Sequence, residues 1–391
     1  MVGQVGNPAS MRELNQRLVL ERLREQGEAT RPQLAAGTGL SKPTIGQALL
    51  DLEQDGLVRT AGRLLAGPGR AAVVYQADPA AGHVVGIDIG RQSIRVAIAN
   101  LGGSIVARLD EPNRCRSGSA LVRTVSGCAE RAIAQAGLTR DDVVATVIGT
   151  PGVPDLGSAT LHRAPNLPGG ERKGLLGELE AALGPGLVVE NDANLSAVGE
   201  YELGAGLGVR SLVCVAVGTG LGLGILVDGK LFRGAHGAAG EIAYLPYGRP
   251  REAGAPRQGL MEVAAAARAV VGSAASHGLA ARTAKDVFRL AREGDKRARK
   301  IVKDEAGKLA FVVASVSAVI DPELVVLSGG IGASADLLVT PLREALARTT
   351  PMAPDIVAGQ LSEEAVLAGA ISTALHTARD LVFDRRSRLT S

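Results

Sequence analysis

Apolar residues recur at helical spacing in two stretches near the start of the chain, and this pattern predicts two helices. The first is expected over residues 11–26 and ends at Gly27. The second is expected over residues 42–54, with Ser41 as its N-cap. The buried face of this second helix is formed by four apolar residues, Ile45, Ala48, Leu49 and Leu52.

A shorter helix is predicted between these two. Thr30 and Gln33 have the spacing of a capping box, and the helix is expected to end at Ala36. Helix, turn and helix in this order are typical of a helix-turn-helix. In that motif, polar side chains near the start of the second helix contact base edges in the major groove. Four residues have that position here, namely Ser41, Lys42, Thr44 and Gln47.

Two short strands, at residues 57–60 and 72–75, predict a β-wing after the helices. Arg63 and Arg70 lie in the connection, and the segment from 57 to 76 has no acidic residue. A three-helix packing unit that binds nothing is the alternative interpretation. Helix, turn, capped helix and basic wing nevertheless occur in order, so the segment resembles a winged helix-turn-helix domain that binds double-stranded DNA.

A polar hinge with proline and glycine, Asp78–Gly82, follows the wing and predicts a domain boundary. We therefore assign residues 1–80 to the DNA-binding domain and residues 83–391 to a second domain. In the second domain, apolar strands alternate with helices, which is typical of an α/β fold.

Several of the predicted strands end in glycine or polar residues, where an α/β sheet usually binds its ligands. The strand 187–190 runs into Asn191 and Asp192, which can anchor vicinal hydroxyls. Asp192 can also act as a general base in phosphoryl transfer. Alternatively, Asp192 caps the following helix, and the two roles are compatible.

A glycine-rich hairpin follows the apolar strand that begins at Val213. It contains Gly218, Gly220, Gly222 and Gly224, whose backbone N–H groups can approach a ligand closely because they lack Cβ atoms. The same glycines could serve only the turn, and the segment alone does not decide between these interpretations.

Composition limits the possible functions. The chain has 391 residues and a formal net charge of +3, so a contact with nucleic acid requires a local basic patch. No apolar run reaches the roughly 20 residues that span a bilayer, and the first residues lack the pattern of a signal peptide. Cys115, Cys128 and Cys214 are widely spaced, which favours reduced thiols. We expect a cytoplasmic, nucleoid-associated protein without a membrane contact.

The order of the motifs resembles the ROK family of repressors, open reading frames and kinases, over essentially the whole chain. The matching segments are 88–90, 150–152, 166–168, 191–194, 218–224, 234–241 and 328–330. The resemblance implies a two-lobed, actin-like ATPase or sugar-kinase fold for residues 83–391, with the lobe boundary near 195–210. The winged helix is carried by the repressor branch of the family.

The resemblance also implies roles for individual residues. The implied sugar-binding set is Gly152, Asn166, Asn191, Asp192, Glu241 and Glu262. The implied nucleotide-binding set, which we expect to be vestigial, is Asp88, Gly90, Gly218, Thr219, Gly220, Gly329 and Gly330. Asp192 has the position of the family's catalytic base.

The chain departs from the family pattern at two places. Active members have Asp-x-Gly-Gly-Thr in the first phosphate loop, whereas Arg91 and Gln92 follow Gly90 here. The family's sugar-contacting histidine is replaced by Tyr244, and no cysteine remains in the segment that corresponds to its zinc motif. We therefore expect no bound zinc and no other cofactor.

Two functions follow from these observations. The first is a transcriptional regulator, which we expect to repress carbohydrate genes and whose second domain binds a sugar or sugar phosphate without catalysis. The second is a sugar kinase with an appended winged helix, and a DNA-binding scaffold without an effector is a third. For the regulator we expect a homodimer, or a tetramer, on a pseudo-palindromic operator.

Overall fold

A computed structural model of the protein describes residues 8–65, 71–155, 157–164, 167–248 and 259–389. Its first unit comprises three helices and a three-stranded sheet. The helices are α1 (Pro8–Gln26), α2 (Arg31–Thr38) and α3 (Lys42–Gln54). The strands are β1 (Glu28–Thr30), β2 (Val58–Leu65) and β3 (Ala71–Ala77), in the antiparallel order β1-β3-β2.

The predicted helix-turn-helix is confirmed, and its local signals act as expected. Ser41 Oγ accepts a hydrogen bond from the Thr44 backbone N–H at 3.3 Å and caps α3. Gly39 follows α2 in the left-handed conformation, with φ of 72°. The unit has its own core, to which each helix contributes a fully buried leucine, namely Leu23, Leu34 and Leu49.

The wing differs from the prediction in its strand lengths. β2 continues to Leu65 rather than ending at Thr60, because it pairs with β3 along its whole length. Arg63 therefore lies on the strand, opposite Val73, and not in the connecting turn. Arg70 lies outside the described residues.

The second domain begins with a five-stranded sheet of order β10-β7-β4-β5-β6. Its strands are β4 (His83–Ile89), β5 (Ser93–Asn100), β6 (Ile105–Pro112), β7 (Val143–Thr150) and β10 (Val188–Asn191). The accompanying elements are α4 (Gly118–Gln135), the hairpin β8 (Val153–Asp155) and β9 (Thr160–His162), α5 (Leu175–Leu183) and α6 (Asp192–Leu203).

A second five-stranded sheet has the order β13-β12-β11-β14-β15. Its strands are β11 (Ser211–Val217), β12 (Leu221–Val227), β13 (Lys230–Leu231), β14 (Leu324–Ser328) and β15 (Asp355–Ala358). The helices that follow β13 are α7 (Leu260–Ala265), α8 (Ala267–Ser276), α9 (Ala284–Arg292), α10 (Lys296–Ile320), α11 (Gly329–Gly332), α12 (Ala335–Thr349) and α13 (Ala365–Leu389).

The two sheets have the same connectivity. In each, the first strand starts an antiparallel meander on one side and pairs in parallel on the other side with a later strand, which in turn pairs in parallel with one more. The hairpin after β4 and the hairpin after β11 are therefore equivalent. This duplicated α/β unit is the two-lobed, actin-like fold that the sequence predicted. Helix α6 lies between the two sheets in the chain and overlaps the lobe boundary expected near residues 195–210, and the domain limits stay predictions.

Helix α6 is packed by backbone contacts against α13. A Cβ atom on Gly369 would lie 1.9 Å from the Leu195 carbonyl oxygen, and one on Gly199 would lie 2.3 Å from the Ala365 carbonyl oxygen. Only glycine permits helices to approach this closely. Consequently α13, the last helix of the chain, is fixed against the first sheet and α6 rather than against the second lobe that precedes it.

Two of the described helices are long, at 25 residues each. α10 begins at Lys296, because Asp295 caps it through the backbone N–H groups of Arg297 and Ala298. α13 begins at Ala365, after a short 3₁₀ turn. Within the described residues, none of the helices combines the length and apolar character required to cross a bilayer.

We predict that Gly369→Ala lowers the thermal unfolding temperature, because the added methyl group would overlap the Leu195 carbonyl oxygen. Overpacking of this kind costs about 1–3 kcal/mol or more. Gly307→Ala in α10 is the matched control, since its Cβ would meet no atom within 4 Å and alanine favours a helix by up to about 1 kcal/mol. Equal unfolding temperatures for the two variants would contradict the close contact.

Candidate ligand cleft and DNA interface

One cleft lies where strands of both sheets end. Its cavity volume is about 330 Å³, within the range of roughly 300–1,000 Å³ that is usual for small-molecule sites. The start of α6 and the hairpins after β4 and β11 line adjoining parts of it. The cleft therefore occupies the position where α/β sheets bind ligands, at the carboxyl ends of parallel strands.

Most of the residues predicted to bind sugar lie together at the α6 end. The cleft is lined by Gly152, Asn191, Asp192, Glu241 and Glu262. The remaining member of that set, Asn166, lies outside the described residues. The structure thus brings the described members of the set to one concave surface, and their contacts with a ligand stay a prediction.

Asn191, and not Asp192, caps helix α6. Asn191 Oδ1 accepts hydrogen bonds from the backbone N–H groups of Ala193 at 2.9 Å and Asn194 at 3.3 Å. Its Nδ2 donates to the Gly152 carbonyl oxygen at 3.0 Å. The alternative that Asp192 is the cap is wrong, since Asp192 is the first residue inside the helix. Because capping occupies the Asn191 oxygen, one N–H of its amide is what remains for a ligand.

Three carboxyl groups face the cleft at this end. Burial raises the pKa of Asp192, Glu241 and Glu262. The charges of Asp192 and Glu262 raise the pKa of Glu241 further, while Arg163 opposes the shift. Carboxylates held this way are strong acceptors for hydroxyl groups of a ligand.

Tyr244 and Arg163 lie together beside Glu241. The Arg163 Cζ atom is 5.5 Å from the centre of the Tyr244 ring, in cation–π geometry. Both residues line the cleft. Sequence reasoning identified Tyr244 as a replacement for histidine but did not identify Arg163, which has no motif of its own.

The predicted phosphate-binding segments line the adjoining part of the cleft, here called the phosphate end, where a Cβ atom on Gly220 would lie 3.1 Å from Glu262 Oε2. The lining of this part includes Asp88, Gly90, Gly218, Thr219, Gly220 and Gly329. Gly330 is not part of the lining and lies behind it, since its nitrogen would be 3.7 Å from a Cβ atom on Gly218. The predicted segments therefore meet in space, although binding of a nucleotide does not follow from this.

An arginine occupies the phosphate end, and sequence reasoning did not identify it. Arg95 Nη1 lies 3.3 Å from Asp88 Oδ2 and donates to the Glu363 carbonyl oxygen at 2.7 Å. Its Nη2 donates to Glu363 Oε2 at 3.1 Å. Burial raises the pKa of Asp88 to about 7, and Arg95 opposes that shift. Arg91, which follows Gly90 in place of the family's second glycine, lines the cleft with an exposed side chain.

The glycine hairpin serves two purposes. Gly218 and Gly220 line the cleft. A Cβ atom on Gly224 would lie 2.5 Å from the Ala197 Cβ atom, and one on Gly222 would lie 2.9 Å from the Ala193 Cβ atom. The later glycines therefore admit helix α6 against β12, and the earlier pair leaves backbone open to a ligand.

Two ion pairs connect the lobes near the cleft. Arg233 Nε donates to Glu190 Oε2 at 2.7 Å, and the same carboxyl group accepts from Asn194 Nδ2 at 2.8 Å. Lys285 Nζ lies 3.3 Å from Glu363 Oε1. The Lys285 pair is largely exposed to solvent, so we expect it to contribute little, about 0–1 kcal/mol.

The predicted DNA-reading residues lie at the exposed start of α3. Ser41, Lys42 and Gln47 are exposed, and Thr44 is half-buried. The Gln47 amide is already held, because its Nε2 donates to Asp51 Oδ1 at 2.9 Å. Its Oε1 atom stays open for DNA. Arg63 is exposed on β2 of the wing.

The buried carboxylate of Asp51 joins α3, the predicted DNA-reading helix, to α1. Asp51 accepts from Arg12 at 2.6 and 2.7 Å and from Gln16 Nε2 at 2.9 Å. The hydrogen bond from Arg12 is the largest cause that lowers the pKa of Asp51. Sequence reasoning missed this network, because an aspartate on a buried helix face has no motif.

Across the residues that the structure describes, no group of three or more histidine, cysteine, aspartate and glutamate side chains could hold a metal ion. The segment that replaces the family's zinc motif lies largely within residues 249–258, which are outside the described ranges. The absence of zinc thus stays a prediction.

The fold and the cleft define a two-lobed, sugar-kinase-like protein with a winged helix-turn-helix. Comparison with known families agrees with this class. The pattern of the ROK family matches residues 84–377, and that of a winged helix-turn-helix DNA-binding domain matches residues 12–59. The chain belongs to the ROK family.

Individual relatives include both regulators and enzymes. A xylose repressor from Caldicellulosiruptor bescii is 26% identical over 95% of this chain and 98% of its own length. A glucokinase from Streptomyces coelicolor is 30% identical over 75% of this chain and 98% of its own length. A solved ROK family transcriptional regulator, a homologue of the E. coli MLC protein, has a TM-score of 0.79 at 20% identity. The alignment covers 96% of this chain and 98% of the regulator, and at 20% identity the likeness shows the fold alone.

We predict that Lys42→Ala weakens binding to a selected operator by on the order of 1–3 kcal/mol, as expected for a lost contact to a base edge. The double variant with Gln47→Ala should bind more weakly still. Lys230→Ala, an exposed lysine of the second lobe, is the control. Fluorescence anisotropy would measure the affinities. A double variant that binds as tightly as the wild type would exclude these residues from DNA recognition.

Proposed function

We propose that the protein is a DNA-binding transcriptional repressor that is controlled by a sugar bound in the cleft. The observation that carries the proposal is the combination of two sites in one chain. The start of the reading helix α3 is exposed, and Asp192, Glu241 and Glu262 line one cleft in the second domain. The C. bescii xylose repressor supports the proposal, because it matches nearly the whole chain including the winged helix.

The proposed effector domain is not catalytic. Phosphoryl transfer depends on positioned donors and metal ions around the phosphates. The first phosphate loop has Arg91 and Gln92 in place of the family's glycine and threonine. In addition, Asp88 is engaged by Arg95 rather than free at that end of the cleft. We propose that a sugar still binds, because Asp192, Glu241 and Glu262 remain in the cleft lining.

A sugar kinase is the second candidate, and one observation favours it. Asp192 lies at the position of the family's catalytic base, and burial raises its pKa, as is common for a general base. The glucokinase relative aligns with 75% of this chain. Incubation with ATP, Mg²⁺ and a panel of hexoses and pentoses would separate the two. We expect no ADP above the no-sugar background, and steady turnover with any sugar would refute the regulator proposal.

The regulator would act by linkage. A sugar can shift the DNA-binding equilibrium only by its different affinity for the two states of the protein. We propose a homodimer on a pseudo-palindromic operator, because one winged helix buries too little surface for a specific site. The proposed protein carries no zinc, which elemental analysis after dialysis would check.

We predict that Asp192→Ala keeps operator binding and loses the response to the sugar. A hydroxyl donor of the sugar would be left without its acceptor, at about 1–3 kcal/mol, which is roughly a 5–150-fold loss in affinity. Thermal shift with a sugar panel and anisotropy with operator DNA would measure the two effects. Asp336→Ala, which removes an exposed ion pair with Arg292, is the control.

Two results would count against this prediction. An unchanged response to the sugar would mean that the cleft does not use Asp192. Loss of operator binding in a folded variant would mean that the start of α6 supports the DNA-binding geometry directly.

A further inference from the structure

The winged helix is docked on the last helix of the effector domain. The Arg17 guanidinium of α1 lies over the Phe383 ring of α13, with Cζ 4.3 Å from the ring centre. Arg17 also forms an ion pair with Asp384. One turn along, Arg24 Nη2 donates to the Arg379 carbonyl oxygen at 3.3 Å. These contacts join residues that are more than 350 positions apart in the sequence.

The other part of α13 is fixed to the cleft. Gly199 of α6 and Gly369 of α13 meet backbone to backbone. α6 begins at Asp192, inside the cleft. Because side chains do not separate the two helices there, they cannot slide past one another without a clash. A displacement at the start of α6 therefore moves α13 with it.

The docked helix α1 is in turn joined to the reading helix. Arg12 and Gln16 of α1 both donate to Asp51 of α3. Asp51 also holds the amide of Gln47. A change in the position of α1 thus reaches a side chain that faces DNA.

We propose that α13 transmits the state of the cleft to the winged helix, and that Arg17 is the positioning residue at the joint between them. The proposal rests on the proposed function, since it names the route by which a sugar would regulate DNA binding. The contact at Arg17 suits a switch, because it is an ion pair and a cation–π contact at a partly exposed site. Such contacts are weak enough to break and re-form, unlike the glycine contact between α6 and α13.

The first test uses the full-length protein without ligand. Arg17→Ala should speed backbone hydrogen exchange in α1 and in the last two turns of α13 relative to the wild type. Arg22→Ala is the matched control, because Arg22 lies on the same helix and pairs with Glu25 within it. Arg17→Lys should restore much of the protection, since it keeps the positive charge. Exchange in Arg17→Ala equal to that in the control overturns the docking role.

The second test measures coupling with D-xylose and D-glucose as probes. For the sugar that raises the unfolding temperature of the wild type, the ratio of operator affinities without and with sugar is determined for each variant. In Arg17→Ala we expect this ratio to fall to about 1, which is the value for uncoupled sites. Operator affinity without sugar and the thermal shift caused by the sugar should both match those of Arg22→Ala. A ratio equal to that of the wild type overturns the proposal.

Different results would contradict the proposed function and the route through α13. A wild-type protein whose operator affinity responds to neither sugar, nor to any member of a wider panel, contradicts the proposed function itself. A wild type that responds, together with an Arg17→Ala variant that responds equally, contradicts only the route through α13. Asp384→Ala removes the same ion pair from the other helix and should reproduce the loss of coupling.

Discussion

The position of helix α6 depends on contacts that only glycine permits. On one side Gly224 admits the helix against β12, and on the other side Gly369 admits it against α13. Both contacts are between backbone atoms or methyl groups, so no side-chain rotation can relieve a change there. The residues at the start of α6 are consequently held in a fixed relation to both lobes. The position of α6 therefore also fixes the polar residues of the cleft that lie at the start of this helix.

Two adjacent residues have different tasks at the start of α6: Asn191 caps the helix, and Asp192 lines the cleft. Asn191 satisfies the free N–H groups at the helix start and also bonds the Gly152 carbonyl oxygen, which joins the helix to the turn after β7. Asp192 is therefore not needed as a cap and can present a carboxylate to the cleft. Burial raises its pKa, because the charged form loses hydration there.

Local signals in the sequence predicted a large part of the fold. Caps and periodic apolar faces located the helices of the winged helix, and strand ends located Asn191 and Asp192. These features depend on neighbours in the chain, so they leave a pattern that can be read from sequence. The family resemblance added Glu241 and Glu262, which no local pattern identifies. Together they predicted the end of the cleft where these carboxyl groups meet.

Features that depend on distant residues could not be predicted in this way. Arg95 finds its partner Glu363 across 268 positions of sequence, and the docking of α1 on α13 joins the two ends of the chain. Neither contact has a periodicity or a motif, because either partner alone is an ordinary surface arginine or acid. The glycine hairpin was ambiguous for a similar reason. Packing against α6 and exposure to a ligand both require glycine, and only the three-dimensional arrangement separates Gly224 from Gly218.

The acidic residues of the cleft differ in the partners that the protein gives them. Burial raises the pKa of Asp88 and of Asp192, and the charge of Asp192 adds to the shift at Asp88. Asp88 has the Arg95 guanidinium within 3.3 Å, so the protein itself supplies a cation there. Asp192, by contrast, has a backbone N–H group as its described hydrogen-bond donor. The Asp192 carboxylate therefore has lone pairs left to accept hydrogen bonds from hydroxyl groups of a ligand in the cleft. A ligand that binds there forms its hydrogen bonds at the start of α6, the helix that packs against β12 and α13.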